Sequence, residues 1–310
     1  MSGVGAALLR SALAGGLLSF VVATGAAAQP VPYLALESVP PGASVCAGGV
    51  CQTEALAQVF RLLEMTEAGR PIPAIHVLQV GDSHTAGGRI TGAVRARLQA
   101  RFGYAQDGGD ATFPVYDERR SGVLLFEFGM VGATLREMQG WRDVDVSGGP
   151  PHWAADLIIL AFGTNEGFED GLDAVAYEAQ LRGQIIRLRR LTPGASLMIL
   201  GAPDALRGGV ADGCSADGQR APPPSLALVR DVQRRVAADM GVAFWDWHGR
   251  MGGDCSADRL ALMAEPYMRG DRVHFTSAGA DWIGGVLAGD LLAAYDAWKA
   301  EAARAAGGVE

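Results

Sequence analysis

The chain has 310 residues, 49% of them hydrophobic and 19% charged, with 26 Lys and Arg against 34 Asp and Glu for a formal net charge of −8. This length and apolar content suit one large packed domain or two small ones and exclude a disordered chain. The acidic balance argues against nonspecific binding to nucleic acid or to an anionic membrane surface.

Residues 1–28 carry a single charged side chain, Arg10. An apolar run from Leu13 to Val22 and the small residues Ala26-Ala27-Ala28 have the form of a signal peptide cleaved before Gln29. The run is short for a spanning helix, and no cysteine lies near the cut to carry a lipid. The mature chain would therefore leave the cytoplasm, keep no stable membrane anchor, and carry a formal charge of −9. Four cysteines allow three pairings. An oxidising compartment favours bonding them. Cys46–Cys51 closes a short Gly-containing loop, and Cys214–Cys255 would tie two long loops. The spacings do not make a structural zinc site.

Residues 29–52 read as an extended, Pro-containing N-terminal segment, and residues 53–310 as one domain. A helical pattern runs from Thr53 to Ala68 and ends at Pro71 and Pro73. Strand and helix patterns then alternate. Strands are expected at Ala74–Val80, Gly122–Phe128, Asp156–Phe162, Ser196–Gly201 and Val242–Trp247. Helices are expected at Gly87–Arg101, Ala133–Trp141, Leu172–Leu191, Pro224–Met240 and Ser277–Ala303. Two long loops, Asp204–Ala221 and Gly249–Arg272, break the rhythm. Such alternation predicts an α/β fold, a parallel sheet covered by helices on both faces. Ligands in such sheets sit beyond the C-terminal strand ends.

Three separated segments carry chemistry at those ends: Gly81-Asp82-Ser83-His84-Thr85, Gly163-Thr164-Asn165-Glu166 and Asp271-Arg272-Val273-His274-Phe275. Ser83 follows an apolar strand and is the candidate nucleophile. His274 is the candidate general base, and Asp271, three residues earlier, can orient its ring. Thr276 and Ser277 are better placed than Asp271 to cap the last helix. Asn165 and the backbone N–H groups of Ser83 and Gly132 are candidate oxyanion donors. Read singly, Gly132 equally fits a glycine opening a helix, and Asn165 an Asx-turn. Asp82, His84, Thr85 and Glu166 read as scaffold for the nucleophile turn. His84, adjacent to Ser83 in sequence, is poorly aimed to act as its base. Trp141, Tyr104, Tyr116, Phe168 and Tyr267, in loops or at element ends, could stack on sugar rings, with ordinary rim packing as the competing reading.

These segments resemble four sequence blocks of the SGNH (GDSL-like) hydrolases: Gly81-Asp82-Ser83, Gly132, Gly163-Thr164-Asn165 and Asp271-Arg272-Val273-His274. The resemblance covers roughly residues 74–298. It implies a three-layer α/β/α sandwich with a five-stranded parallel, flavodoxin-like sheet, Ser83/Asp271/His274 catalysis, and no metal or organic cofactor. A nearer resemblance, carried by Phe162-Gly163-Thr164-Asn165-Glu166 and Val273-His274-Phe275-Thr276, is to periplasmic peptidoglycan O-acetylesterases. It implies a periplasmic or secreted enzyme of a Gram-negative envelope acting on an acetylated glycan. Only about fifty residues separate Ser83 from Gly132, too few for the β-rich carbohydrate-binding insertion of those enzymes. Val131 also stands where an asparagine often precedes the glycine. Glycan O-acetyl transfer, general short-chain ester hydrolysis and a non-catalytic glycan-binding role are the competing expectations.

Overall fold

A computed structural model describes residues 39–103, 122–149 and 154–307. The expected signal peptide, residues 29–38 of the extended segment, and Tyr104 and Tyr116 lie outside them. In chain order the strands are β1 Val50–Cys51, β2 Ile75–Gly81, β3 Val123–Gly129, β4 Leu157–Ala161, β5 Ser196–Leu200, β6 Arg207–Gly208, β7 Arg220–Ala221 and β8 Ala243–Trp245. The helices are α1 Ala57–Glu67, α2 Ser83–Ala86, α3 Arg89–Phe102, α4 Leu135–Met138, α5 Asp143–Ser147, α6 Thr164–Gly167, α7 Ala174–Leu191, α8 Pro224–Met240, α9 Trp247–Met251, α10 Ser256–Ala261 and α11 Ser277–Gly307.

The central sheet runs in the order β1-β8-β5-β4-β2-β3. Five strands are parallel, as expected, and β1 adds an antiparallel edge. β1 is only two residues long, too short to leave an alternation in sequence. Strands β2, β4 and β5 are buried along their whole length, which is why they read as unbroken apolar runs.

Alternate residues feed two cores. Val77, Leu157, Ile159, Met198 and Trp245 face α1, α3 and α11, while Leu78, Ile158, Leu160, Ile199 and Phe244 face α7 and α8. Each fully buried aliphatic side chain stabilises this three-layer stack by roughly 1.5–3 kcal/mol relative to exposure. Local chemistry sets the helix ends. Asp173 caps α7 through the N–H groups of Val175 and Ala176. Pro224 opens α8, and Gly241, at φ 58°, closes it in the left-handed conformation.

The chain passes from β2 to β3 on one side and then returns to place β4 on the other. Strand order therefore reverses around β2, and its carboxyl end opens into a crevice. The long loops are less irregular than their sequence suggests. The first contains the ribbon β6–β7, and the second contains α10. Disulfides join Cys46 to Cys51 and Cys214 to Cys255. Among the described residues, no helix is long and apolar enough to cross a membrane.

Candidate active site

Ser83 opens α2 immediately after β2. Its N-cap, Asp82, accepts a hydrogen bond from the His84 N–H at 2.9 Å, which holds the turn. Register places Gly81 opposite Gly129 of β3 and Ala161 of β4. The three following loops, carrying Ser83, Gly132 and Asn165, thus leave adjacent strand ends. A side chain on Gly81 would strike the Ala161 carbonyl and the Thr85 hydroxyl, so only glycine lets the turn close this tightly.

The fourth segment arrives from far along the chain. His274 Nε2 lies 3.0 Å from Ser83 Oγ, and His274 Nδ1 lies 2.9 Å from Asp271 Oδ2. Asp271 Oδ1 also accepts the backbone N–H groups of Val273 and His274, at 2.9 and 3.0 Å. Partial burial pushes the Asp271 carboxyl up, but those N–H groups and the His274 ring outweigh it and hold it below its ordinary value. An ionised Asp271 fixes a proton on Nδ1 and leaves Nε2 free to accept from the serine. The three residues singled out in the sequence are therefore hydrogen-bonded in series.

The loop between β3 and α4 turns tightly. The Ala133 N–H reaches the Met130 carbonyl at 3.1 Å, and the Met130 N–H reaches Gly81 O at 3.1 Å. Gly132 sits at φ +79° with open space beside it, a conformation that disfavours any side chain. Asn165 Nδ2 donates to Ala133 O at 2.9 Å. That bond uses one amide hydrogen and leaves the other available.

Two residues read as scaffold do more specific work. His84 is buried. Its Nδ1 is 3.1 Å from Asp82 Oδ1, and its Nε2 is 3.0 Å from the Val273 carbonyl. Both partners are acceptors, so both nitrogens donate and the ring is held as imidazolium. Burial penalises that charge, but the Asp82 carboxylate and the Val273 carbonyl outweigh it and raise the His84 pKa. With both nitrogens engaged, His84 is excluded as the base for Ser83. It ties the nucleophile turn to the residue before His274, and its ring stacks 5.5 Å from that of His274.

Glu166 was expected to hold the nucleophile turn and instead holds the neighbouring loop. Its Oε1 accepts the Leu135 N–H at 2.8 Å at the start of α4, while Oε2 is buried without a hydrogen-bond partner. Burial first, then the Asp82 charge, push its carboxyl up to about 7 against the pull of backbone N–H groups. The proton on a neutral carboxyl has a place on Oε2.

Arg272 carried no sequence signal. Its backbone is left-handed, at φ 59°, unusual for a long side chain. Its Nε pairs with buried Asp258 at 2.9 Å, and its carbonyl accepts the Leu206 N–H at 3.0 Å. Asp258 in turn accepts the Ala216 N–H at 2.8 Å. The Cys214–Cys255 disulfide flanks both ends of this support, which braces the Asp271–His274 loop. Two of the aromatic candidates take the packing role: Tyr267 is buried against Trp282, and Trp141 packs on Phe128 and Phe162. Phe168 is partly buried against the same core as Trp141.

Among the described residues, Asp204, His248 and Asp254 bring ligand-type atoms within 4.8 Å of one another. His248 Nε2 bonds Asp254 at 2.8 Å, and the Arg230 guanidinium lies 3.5 Å from the same carboxylate. An arginine already supplies the cation that this cluster needs.

A parallel α/β sheet with a Ser–His–Asp series at its switch point defines a serine hydrolase arrangement. The chain belongs to the GDSL-like lipase/acylhydrolase family, whose model matches residues 80–282, and is a carboxylic ester hydrolase. A solved peptidoglycan O-acetylesterase has a similar fold, with 21% identity over 80% of this chain and 99% of that one and a TM-score of 0.67. A two-domain esterase active on acetylated mannans, co-crystallised with mannopentaose, matches with 12% identity over 80% of this chain and 56% of that one, at a TM-score of 0.53. At these identities the likeness establishes the shared fold. No significant match was found among curated proteins.

Glu166 and His84 give stability a common pH trend. The native state keeps the Glu166 proton from pH 4.5, where the unfolded chain releases it, to about 7, so its contribution declines as pH rises through that window. The raised His84 pKa gives stability that is full below pH 6.5 and lost as pH climbs through the folded value. Glu166→Gln keeps the acceptor for Leu135 and removes the ionisation. In urea unfolding it is expected to recover about 2–3 kcal/mol at pH 8 relative to pH 5. A decline as steep as the parent's would contradict the buried neutral carboxyl.

Arg272→Gln leaves Asp258 as a buried, unpaired carboxylate. It is expected to cost about 3 kcal/mol in urea unfolding and to lower kcat for an aryl acetate about tenfold, because the loop holding Asp271 and His274 loosens. Lost stability with full kcat in the folded protein would show that this brace does not position the site.

Proposed function

We propose that the protein is an exported O-acetylesterase that removes acetyl groups from an envelope glycan, peptidoglycan foremost, through an acetyl-serine intermediate. The observation that carries this reading is the continuous series Ser83 Oγ–His274 Nε2 at 3.0 Å and His274 Nδ1–Asp271 Oδ2 at 2.9 Å.

Ser83 Oγ attacks the acetyl carbonyl carbon as its proton passes to His274 Nε2. The new imidazolium lies against the Asp271 carboxylate. Negative charge gathers on the former carbonyl oxygen, where the N–H groups of Ser83 and Gly132 and the second Asn165 amide hydrogen meet it. The C–O bond to the sugar then breaks, and His274 returns the proton to the departing hydroxyl. Water enters, gives its proton to His274 and attacks the acetyl-serine. Acetate leaves, and Ser83 recovers its hydrogen.

The neighbouring structures that act on acetyl-bearing polymers support a glycan substrate. The open crevice suits a polymer chain: about 430 Å³, bordered by Ser83, His274, Val131 and Ser277. Two disulfides and the signal-peptide-like pattern of residues 1–28 support an extracytoplasmic location in the periplasm.

Residues 29–310 incubated with O-acetylated peptidoglycan are expected to release acetate. Ser83→Ala should abolish release above a small residual rate, and Asn165→Ala should lower kcat about 10²–10³-fold. Ser83-dependent turnover of an aryl acetate without release from peptidoglycan would exclude the wall substrate. Acetate release by Ser83→Ala would exclude the mechanism.

A further inference from the structure

The crevice beside Ser83 contradicts the charge of the whole chain. The protein carries a formal net charge of −8, yet among the described residues no aspartate or glutamate borders the crevice, while Arg89 and Arg269 both do. The two come from different elements, Arg89 from the first turn of α3 and Arg269 from the loop before His274. Both are exposed. Among the described residues neither guanidinium is engaged in an ion pair or a side-chain hydrogen bond.

Many other arginines of the chain are engaged with carboxylates. Arg95, Arg101, Arg142, Arg182, Arg187 and Arg250 all pair with carboxylates. The backbone at the start of α3 contributes as well, beside the Glu127 carboxylate that Arg95 neutralises. The N-cap of α3 is Gly88, which offers no side chain to its first-turn N–H groups. Gly87, Arg89 and Ile90 at that helix end border the crevice. Two unpaired guanidiniums and an uncapped amino end favour an anion. The tetrahedral oxyanion has its own donors, so these groups serve a charge elsewhere on the substrate.

Resting on the glycan esterase reading above, we propose that Arg89 and Arg269 are specificity-determining residues that bind a carboxylate of the substrate, so that the enzyme selects O-acetylated acidic saccharides over neutral ones. The shared chemistry is a carboxylate near the acetylated hydroxyl. A uronic acid in the chain supplies it directly, and a wall muropeptide supplies it through its lactyl or peptide carboxylates. Arginine presents a planar fork to such a group, bidentate where lysine offers a point charge. Approach of an acidic polymer to a chain of like net charge would also be guided to a local region of opposite sign.

The test compares matched pairs of O-acetylated substrates: a uronic-acid oligosaccharide with its carboxamide, and a muropeptide with its amidated form. Acetate release gives kcat and KM for the parent, Arg89→Gln, Arg269→Gln and the double variant, with thermal unfolding as the check on folding. The parent is expected to prefer the acidic member of at least one pair about tenfold or more. Each single variant should lose about fivefold of that preference, and the double variant most of it, through KM and not kcat. Arg269→Lys should restore part of the loss, and added salt should erode the parent's preference. The pair that shows the effect identifies which carboxylate source is recognised. Acetate release from both members at ratios unchanged by the substitutions would overturn the arginine assignment while leaving the esterase intact. A parent that releases acetate from no saccharide overturns both.

Discussion

The His84 imidazolium pins together two distant parts of the chain, already packed side by side through α3 and α11, at the point where the nucleophile and its base must meet. Ser83 and His274 are 191 positions apart. His84 donates on one side to Asp82, which caps the nucleophile turn, and on the other to the carbonyl of Val273. A buried cation between a carboxylate and a carbonyl tolerates little displacement, because an unpaired charge in that environment costs several kcal/mol. The distance from Ser83 to His274 is thereby fixed from behind, without burdening either side chain with a structural bond of its own.

The sheet supplies the rest of the geometry. Because β2 lies between β3 and β4 in parallel register, three loops from distant sequence positions leave the same edge together. The crevice that results is a property of strand order more than of any one residue. The side chains then divide the labour. Glu166 fixes the start of α4 behind the Gly132 loop, Asn165 bridges to Ala133, and Arg272 anchors the loop of Asp271 and His274 to a disulfide-flanked carboxylate. Each support acts on a loop and each is largely buried, so the groups facing solvent remain free for substrate.

Much of this was legible in the sequence, for identifiable reasons. Long strands with both faces covered leave continuous apolar runs, so β2, β4 and β5 were placed within a residue or two. Ser83, Asp271 and His274 stood out because a nucleophile and its base need rare residue types at strand ends. What escaped lacks such a local signal. β1, β6 and β7 are two-residue strands whose pairing depends on distant partners. α10 lies in a Gly- and Asp-rich stretch whose composition reads as loop. The left-handed backbone of Arg272 is imposed by Asp258 and Leu206, neither of them near it in sequence. Glu166 was recognised as structural but attached to the wrong loop, since a carboxylate's partner across 31 residues cannot be read from spacing. Tyr267 and Trp141 follow the packing reading: aromatic residues at element ends look available for sugars, but the core recruits them first.

The central claim is that Ser83 becomes acylated. Rapid quenching of the enzyme with an acetyl ester substrate, followed by mass analysis of the peptide carrying Ser83, tests it directly. The account predicts a single added acetyl group on Ser83 during turnover, absent from Ser83→Ala and accumulating in a His274→Ala variant that a reactive aryl ester has acylated. Full turnover with no acetyl group trapped on Ser83, or with the group on another residue, would contradict it.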